Sequence, residues 1–194
     1  MSYHIYTTEG IILKRTGFGE GNVMLHVLTR DLGLIIASAQ SARAEASKLR
    51  GHLQEYSQIS LSCVKGKSGW KITSASVSDN FFFNYPPYLH IVLARVSQLL
   101  LKMIAGESAH VEVYDLVAGG FEFLGKLQEE DMADFETLIV LRILFLLGYV
   151  AKSPETGDLL SGIPTWSRRE LSFARENKLR LVGFINTALK ESHL

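Results

Sequence analysis

The sequence predicts an α+β protein of two parts, an N-terminal five-stranded barrel followed by an all-helical domain. Through residues 9–80, apolar residues alternate with polar residues, which is the period of half-buried strands. Short glycine-bearing turns separate these runs. After the breaker Pro86-Pro87, apolar residues recur every three to four positions, as on one face of a helix.

The first three strand-like runs follow one another closely. Val23, Leu25 and Val27 form the apolar set of the second run, and the turns on either side of it carry Gly19 and Gly33. Strands joined by such short turns predict an antiparallel meander. Because a meander must hide its edge strands, closure into a small barrel is favoured.

Two further strands follow an insertion at residues 41–56, which has room for one helical turn and a loop. Ser57–Val64 alternates apolar and polar residues, and a last strand begins at Trp70 after a short turn. Five strands with an insertion after the third is the layout of an oligonucleotide/oligosaccharide-binding (OB) barrel. We place this predicted barrel at residues 1–80.

Residues 81–194 are predicted to form the helical domain. The apolar periodicity predicts helices that begin at Tyr88 and Ser167 and helices over Val111–Leu127 and Asp131–Tyr149, with a loop over Lys152–Pro164. The most apolar run, Leu138–Val150, is shorter than the roughly 20 residues that cross a bilayer and contains Arg142. It is therefore predicted to be a buried core helix.

The charges are balanced over the chain but not between its halves. The formal net charge is zero, yet residues 1–80 hold nine Lys/Arg against six Asp/Glu, and residues 81–194 hold eleven against fourteen. The mild basic excess thus falls on the strand-rich half.

A single cysteine, Cys63, excludes an internal disulfide and a four-cysteine zinc site. The N-terminal residues show no secretion signal, so we expect a cytoplasmic protein.

Motifs of catalysis fail on spacing or context. Gly17, Gly19 and Gly21 precede a strand instead of a helix, so they predict a hairpin turn and not a dinucleotide fingerprint. The sequence Gly66-Lys67-Ser68 resembles the end of a phosphate-binding loop, but it joins two strands. No enzyme, cofactor or metal site is predicted. His26 lies inside a predicted strand, where a structural role with its hydrogen bonds made is favoured over a role as a ligand. The acidic residues that surround the start of the third helix are interpreted as carboxylates facing water, namely Glu129, Glu130, Asp131, Asp134 and Glu136.

The remaining signals are those of nucleic-acid binding. Several cations along one groove can neutralise phosphates, and aromatic rings can stack on unpaired bases. The candidate DNA-binding residues are Lys14, Arg15, Arg43, Lys48, Arg50, Lys65, Lys67 and Lys71. Aromatic residues close to them in sequence are Tyr6, Phe18, Tyr56 and Trp70, of which Tyr56 and Trp70 are predicted to be at least partly buried. The alternative is that these lysines are simply solvated and the aromatic residues belong to the core.

An ordered series of segments resembles RecO, the bacterial recombination-mediator and DNA-annealing family. The matching segments are EGIILKRTGFGEGN, LTRDLGLI, SAQSAR, SKLRGHLQEYSQISLSCVKG and, in the helical half, LRILFLLGY. The resemblance implies an OB barrel with a helical domain behind it, and annealing of complementary single strands without ATP. It also implies partners: single-stranded DNA, a RecR-like protein and the acidic tail of single-stranded-DNA-binding protein, which together help to load the recombinase. No membrane and no small-molecule substrate is implied.

The resemblance also bears on particular residues. Lys14, Arg15, Arg43, Lys48 and Arg50 match positions where the family has basic barrel residues. By the same resemblance, Arg142 would lie near a groove that accepts the acidic tail, whereas an internal salt bridge with Glu136 or Asp134 is the alternative.

The chain departs from many relatives because no four-cysteine zinc module follows the LGY sequence and the basic loop is diluted by Ala44 and Glu45. The leading hypothesis is therefore a short, zinc-free RecO-type protein of DNA repair and recombination, cytoplasmic and nucleoid-associated. The alternatives are an adaptor in the same pathway with little DNA binding of its own, and an RNA-binding OB module.

Overall fold

A computed structural model describes residues 4–42, 49, 51–154, 156–160 and 165–192 of the chain. The strands precede the helices, as the sequence predicts. The strands are β1 (Ile5–Phe18), β2 (Asn22–Thr29), β3 (Gly33–Ala39), β4 (Ser57–Gly66) and β5 (Gly69–Asn80).

The five strands close into a barrel in the order β1-β2-β3-β5-β4. Closure comes from β1, which is long enough to pair with β2 over one half and with β4 over the other. Neighbouring strands are antiparallel except β3 and β5, which pair in parallel where Ala37 meets Trp70 and Ser38 meets Lys71. The predicted fold class, a five-stranded OB barrel followed by helices, is confirmed.

Alternate side chains of the strands fill the barrel. Val23, Leu25, Ile35 and Cys63 are fully buried there, and the indole of Trp70 is nearly so. Burial raises the pKa of the Cys63 thiol to about 11, so this cysteine stays protonated and acts as an apolar side chain. Trp70 is buried and Tyr56 is half-buried, as predicted.

Strand β1 divides its apolar side chains between two cores. A bulge shifts its pairing with β2 between Ile12 and Lys14. Ile12 packs inside the barrel, whereas Ile11 and Leu13 pack in the helical core around residues such as Leu93. Since the two parts share a core, the boundary between residues 80 and 81 remains a prediction.

The helical part begins directly after β5. It comprises α1 (Phe81–Asn84), α2 (His90–Met103), α3 (Val111–Leu124), α4 (Met132–Leu146), α5 (Gly157–Leu160), α6 (Arg168–Glu176) and α7 (Lys178–Glu191), with 3-10 turns at Pro87–Leu89 and Glu129–Asp131. The prediction missed α1, and the segment predicted as a loop contains α5. The tail is divided at Asn177 into two helices. Its first helix is capped by Ser167, whose hydroxyl accepts the backbone N–H of Glu170.

Helix α4 is the centre of the helical part. It packs against α2, α3, α6 and α7, which explains why its residues are apolar on all sides. Leu138, Leu141 and Leu144 are fully buried, so the prediction of a core helix is confirmed up to Leu146. Within the described part of the chain, no helix combines the length and apolar character that crossing a membrane requires.

Candidate nucleic-acid interface

The outside of the barrel presents a continuous surface across three strands. The pairing register sets Lys14 of β1 opposite His26 of β2, which in turn lies opposite Ile36 of β3. A second row is Thr16, Met24 and Ser38. Residues directly opposite in antiparallel strands point to the same face. We call this surface the outer face, and define it as Lys14, Thr16, Met24, His26, Ile36 and Ser38.

Two turns lie at one end of the outer face. The turn between β1 and β2 contains Gly19 at a φ of 56°, and the β4–β5 turn contains Gly69 at a φ of 97°. The far end of β3 pairs with the start of β2, through Ala39 and Val23, and with the start of β5, through Ala37. Both turns therefore lie beside the end of β3. In OB barrels the face of strands 2 and 3 and these two turns form the ligand-binding surface.

Three of the predicted cations border this surface. Lys14 lies on the outer face, Lys71 pairs with Ser38 at its edge, and Lys67 is at the tip of the β4–β5 turn. All three side chains are exposed, and none has an ion-pair partner among the described residues. They are available to neutralise phosphates.

Apolar side chains and an uncharged imidazole occupy the middle of the outer face. Ile36 is 53% exposed at its centre, with Met24 half-buried nearby. Burial and the charge of Lys14 lower the pKa of His26, so its imidazole is neutral at pH 7. The Nδ1 atom of His26 is buried with no hydrogen-bond partner among the described residues. The structural role expected for this histidine stays a prediction.

Comparisons with known proteins agree with this architecture. Residues 1–81 match the family model described as recombination protein O N terminal. A DNA repair protein RecO from Dehalococcoides mccartyi is 29% identical over 130 residues, which cover 66% of this chain and 51% of the relative. The same-named protein of another strain is 41% identical over 80 residues, 40% of this chain and 31% of the relative. The same-named protein of Heliobacterium modesticaldum is 24% identical over 145 residues, 75% of this chain and 52% of the relative.

The N-terminal 81 residues of the chain are thus similar to the RecO family. It spans about half the length of the curated relatives it matches. The family model ends one residue beyond the last strand, so it coincides with the barrel that carries the outer face.

The other cations that the RecO resemblance and the sequence singled out are placed differently. Arg43, Lys48 and Arg50 lie outside the described residues. Lys65 is exposed, but its charge is already paired. Its ammonium forms an ion pair with Glu107 at 2.5 Å and lies 5.4 Å from the centroid of the Trp70 ring.

Arg15 points away from the outer face, into a cleft on the opposite side of β1. The half-buried guanidinium lies near the aromatic residues of α1, and its backbone N–H donates to Glu55 at 2.8 Å. Thus the side chains of Arg15 and Lys14, neighbours in sequence, point to opposite sides of β1.

Arg142 is in the interior of the helical part. Its side chain is 0% exposed and forms an ion pair with Glu170. The guanidinium also donates to the carbonyl oxygens of Leu159 at 3.0 Å and Thr165 at 2.7 Å, and lies 4.8 Å from the ring centroid of Trp166. The alternative of an internal salt bridge is therefore confirmed, with Glu170 as the partner in place of Glu136 or Asp134. A peptide carboxylate could reach Arg142 only by displacing Glu170, and the structure gives its partner-binding role no support.

The carboxylates at the start of α4 serve structure. The interpretation of Asp131 and Asp134 as facing water is wrong, because both are buried. Asp131 accepts hydrogen bonds from Arg168 at 2.7 Å and Arg175 at 2.9 Å, and Asp134 accepts from Arg175 at 2.6 Å and Lys178 at 3.0 Å. This network fastens α6 and α7 to α4. Among the described residues no His, Cys, Asp or Glu cluster could hold a metal ion.

Sequence reasoning missed two groups of surface residues. Ile36 and Met24 of the outer face were detectable from the alternation, since they fall opposite the buried positions of their strands. Phe82 and Phe83 of α1 are exposed. The sequence feature that could have indicated this exposure is the run of three phenylalanines. Three consecutive side chains of a four-residue helix point in different directions, so one buried side cannot cover all of them.

Proposed function

We propose that this chain serves DNA repair as a recombination mediator, which binds single-stranded DNA on the outer face and anneals complementary strands without ATP. The observation that carries the proposal is a group of three lysines, which have no ion-pair partner in the described part of the chain, around an exposed apolar centre at Ile36. These lysines are Lys14, Lys67 and Lys71. The similarity of residues 1–81 to the RecO family model, and of longer stretches to proteins named DNA repair protein RecO, supports the role in DNA repair.

The mechanism would be electrostatic and non-enzymatic. Two complementary strands repel one another through their phosphates, and cations on the protein offset that repulsion. Bases held against an open sheet surface keep their pairing edges accessible, because contact with the protein uses their faces. The protein would therefore raise the local concentration of strands without making or breaking a covalent bond.

A titration of labelled single-stranded DNA at several salt concentrations tests this function. Each phosphate contact contributes about 0.7 to the slope of log affinity against log salt for single strands. The Lys14→Glu/Lys71→Glu variant should bind more weakly, lower that slope by about 1.4 and anneal complementary strands more slowly. The matched control, Lys126→Glu/Lys190→Glu, makes the same change in net charge at exposed positions of the helical part. Equal binding by both double variants would refute the proposed site.

Protein partners form the second part of the proposal, and a cavity in the helical part supports it. The cavity has a volume of about 460 Å³ and lies between α2, α4 and α7. Leu99, Val140 and Val182 give it an apolar lining. Lys102 supplies positive charge, whereas Arg95 is already paired with Glu136, which also lines the cavity. This combination suits an acidic peptide that ends in apolar residues, such as the acidic tail of single-stranded-DNA-binding protein.

Calorimetry with such a tail peptide tests the cavity. Lys102→Glu should weaken peptide binding, whereas Lys126→Glu should leave it unchanged. Loss of peptide binding in a folded Arg142→Ala variant, with Lys102→Glu unaffected, would transfer the site back to Arg142.

The other partners in the proposed function are a RecR-like protein and the recombinase. With a RecR-like protein, the chain would help to load the recombinase, in the cytoplasm and associated with the nucleoid. An adaptor with little DNA affinity would show weak binding at every salt concentration. An RNA-binding module would prefer RNA of the same sequence in a competition assay.

A further inference from the structure

A small aromatic cleft lies on the side of β1 opposite to the outer face. It is lined by Arg15, Gln54, Glu55, Phe82 and Phe83, and its volume is about 260 Å³. We call it the aromatic cleft.

The fold forces two phenylalanines to the surface of this cleft. Helix α1 follows β5 directly, and the side chain of Asn80 caps it by accepting the backbone N–H of Phe83 at 3.0 Å. Phe81 anchors the helix, because its ring is fully buried with its centroid 5.5 Å from that of Phe121. With Phe81 turned inward, Phe82 and Phe83 remain 42% and 69% exposed. Exposed neighbouring aromatic side chains of this size are typical of binding surfaces.

The exposed rings are held in position before any ligand arrives. The ring of Phe82 stacks on that of His90 with 4.3 Å between centroids and 21° between planes. Phe83 meets Phe82 edge-on at 5.6 Å. The ring of Tyr56 lies 6.4 Å from Phe82 on the barrel side. A surface supported in this way loses little conformational entropy when a flat ligand stacks on it.

A guanidinium that forms no ion pair with any described residue faces the same cleft. Arg15 has no ion-pair partner among the described residues, and its Nε atom is buried there without a hydrogen-bond partner. The carboxylate of Glu55 already accepts the backbone N–H of Arg15. A planar guanidinium with free donors suits the two oxygens of a phosphate.

We propose that the aromatic cleft binds one unpaired nucleotide of a single strand, with the base stacked on Phe83 and the phosphate paired with Arg15. The proposal rests on the proposed function and extends the path of the strand from Lys14 across β1 to α1. Continuity favours nucleic acid, since Lys14 and Arg15 are adjacent in the chain. A docked protein helix would need a longer apolar stripe than two rings, whereas the carboxylate of Glu55, which lines the cleft, can accept hydrogen bonds from the edge of a base.

Binding of a single-stranded oligonucleotide that carries the fluorescent base 2-aminopurine tests the cleft. Phe83→Ala should weaken binding about fivefold or more and reduce quenching of the probe, because stacking on an aromatic side chain is lost. It should leave the salt slope unchanged, whereas Arg15→Gln should lower that slope by about 0.7. Phe83→Tyr should retain both affinity and quenching. The matched control is Tyr149→Ala, which removes an exposed aromatic ring elsewhere in the helical part.

An abasic strand of equal length separates stacking from phosphate binding. On that strand, Phe83→Ala and the wild type should bind equally. If Phe83→Ala binds the normal strand with wild-type affinity, the cleft is not a nucleotide site, and a protein partner becomes the occupant to test. That result leaves the proposed function standing. An equal loss on normal and abasic strands overturns stacking. Absence of binding by the wild type overturns the proposed function and the cleft together.

Discussion

Replacing Glu170 by alanine would leave the most deeply buried charge of the described structure without its counter-charge. Arg142 is fully buried and donates to two carbonyl oxygens in addition to its ion pair with Glu170. Burial lowers the pKa of Arg142, and the carboxylate of Glu170 opposes that effect. Because arginine stays protonated in proteins, the variant must carry an uncompensated cation in its core.

The expected loss follows from that burial. Removing one partner of a buried ion pair costs about 3–5 kcal/mol. For a protein of this length, each 1 kcal/mol lowers the melting temperature by about 2–4 °C. The Glu170→Ala variant should therefore melt roughly 6–20 °C below the wild type.

Urea unfolding followed by circular dichroism measures the loss, with two controls. Glu136→Ala removes the exposed ion pair with Arg95, whose nitrogen and oxygen are 3.0 Å apart, and should cost about 1 kcal/mol or less. Glu170 also accepts a hydrogen bond from Ser167, the cap of α6, so Ser167→Ala gives the contribution of the cap, about 0.5–2 kcal/mol. A loss for Glu170→Ala no larger than the sum of these controls would refute the argument from burial.

Three further predictions concern acid stability, pH-dependent binding and a close backbone contact. Burial alone would raise the pKa of Asp134, but hydrogen bonds from Arg175 and a lysine hold that pKa below its ordinary value of 3.8. The stability that the ionised carboxylate contributes is complete above pH 3.8 and is lost as pH falls through the lowered pKa. The free energy of unfolding of Asp134→Asn should therefore vary less with pH below about 4 than that of the wild type. The pKa of His26 lies below 6.5, so DNA affinity should rise as pH falls below 6.5 and His26→Gln should abolish the rise. Gly33 has a φ of 73°, and a Cβ there would overlap the carbonyl oxygen of Ser108; Gly33→Ala should cost at least about 1–3 kcal/mol in urea unfolding, and a neutral effect would contradict the close contact.

Local patterns were sufficient to predict the barrel. Alternation fixed which residues of β2 and β4 point inward, and the positive φ angles at Gly19 and Gly33 occur at the turns that their glycines predicted. The helical periodicity located α2 and α3 to within a few residues. These features depend on neighbours in sequence, so a single sequence contains them.

Features that depend on distant partners were predicted poorly. Asp134 resembles a helix-start carboxylate exposed to water, and its partner Arg175 is 41 residues away. A signal was nevertheless present, because Arg168, Leu171 and Arg175 share one face of α6, which places two arginines beside its buried stripe. For Arg142 the sequence required a counter-charge but could not identify Glu170, 28 residues away.

The division of β1 between two cores has a consequence for how the protein can be dissected. A fragment that stops at residue 80 would keep Ile12 inside its barrel, but would uncover Ile11, Leu13 and Leu28 on its outside. Three aliphatic side chains newly exposed on one surface would promote self-association of the fragment. Producing the barrel alone as a soluble fragment therefore requires polar replacements on that surface. A β1 strand transferred from a relative must also fit both the helical core and the barrel core.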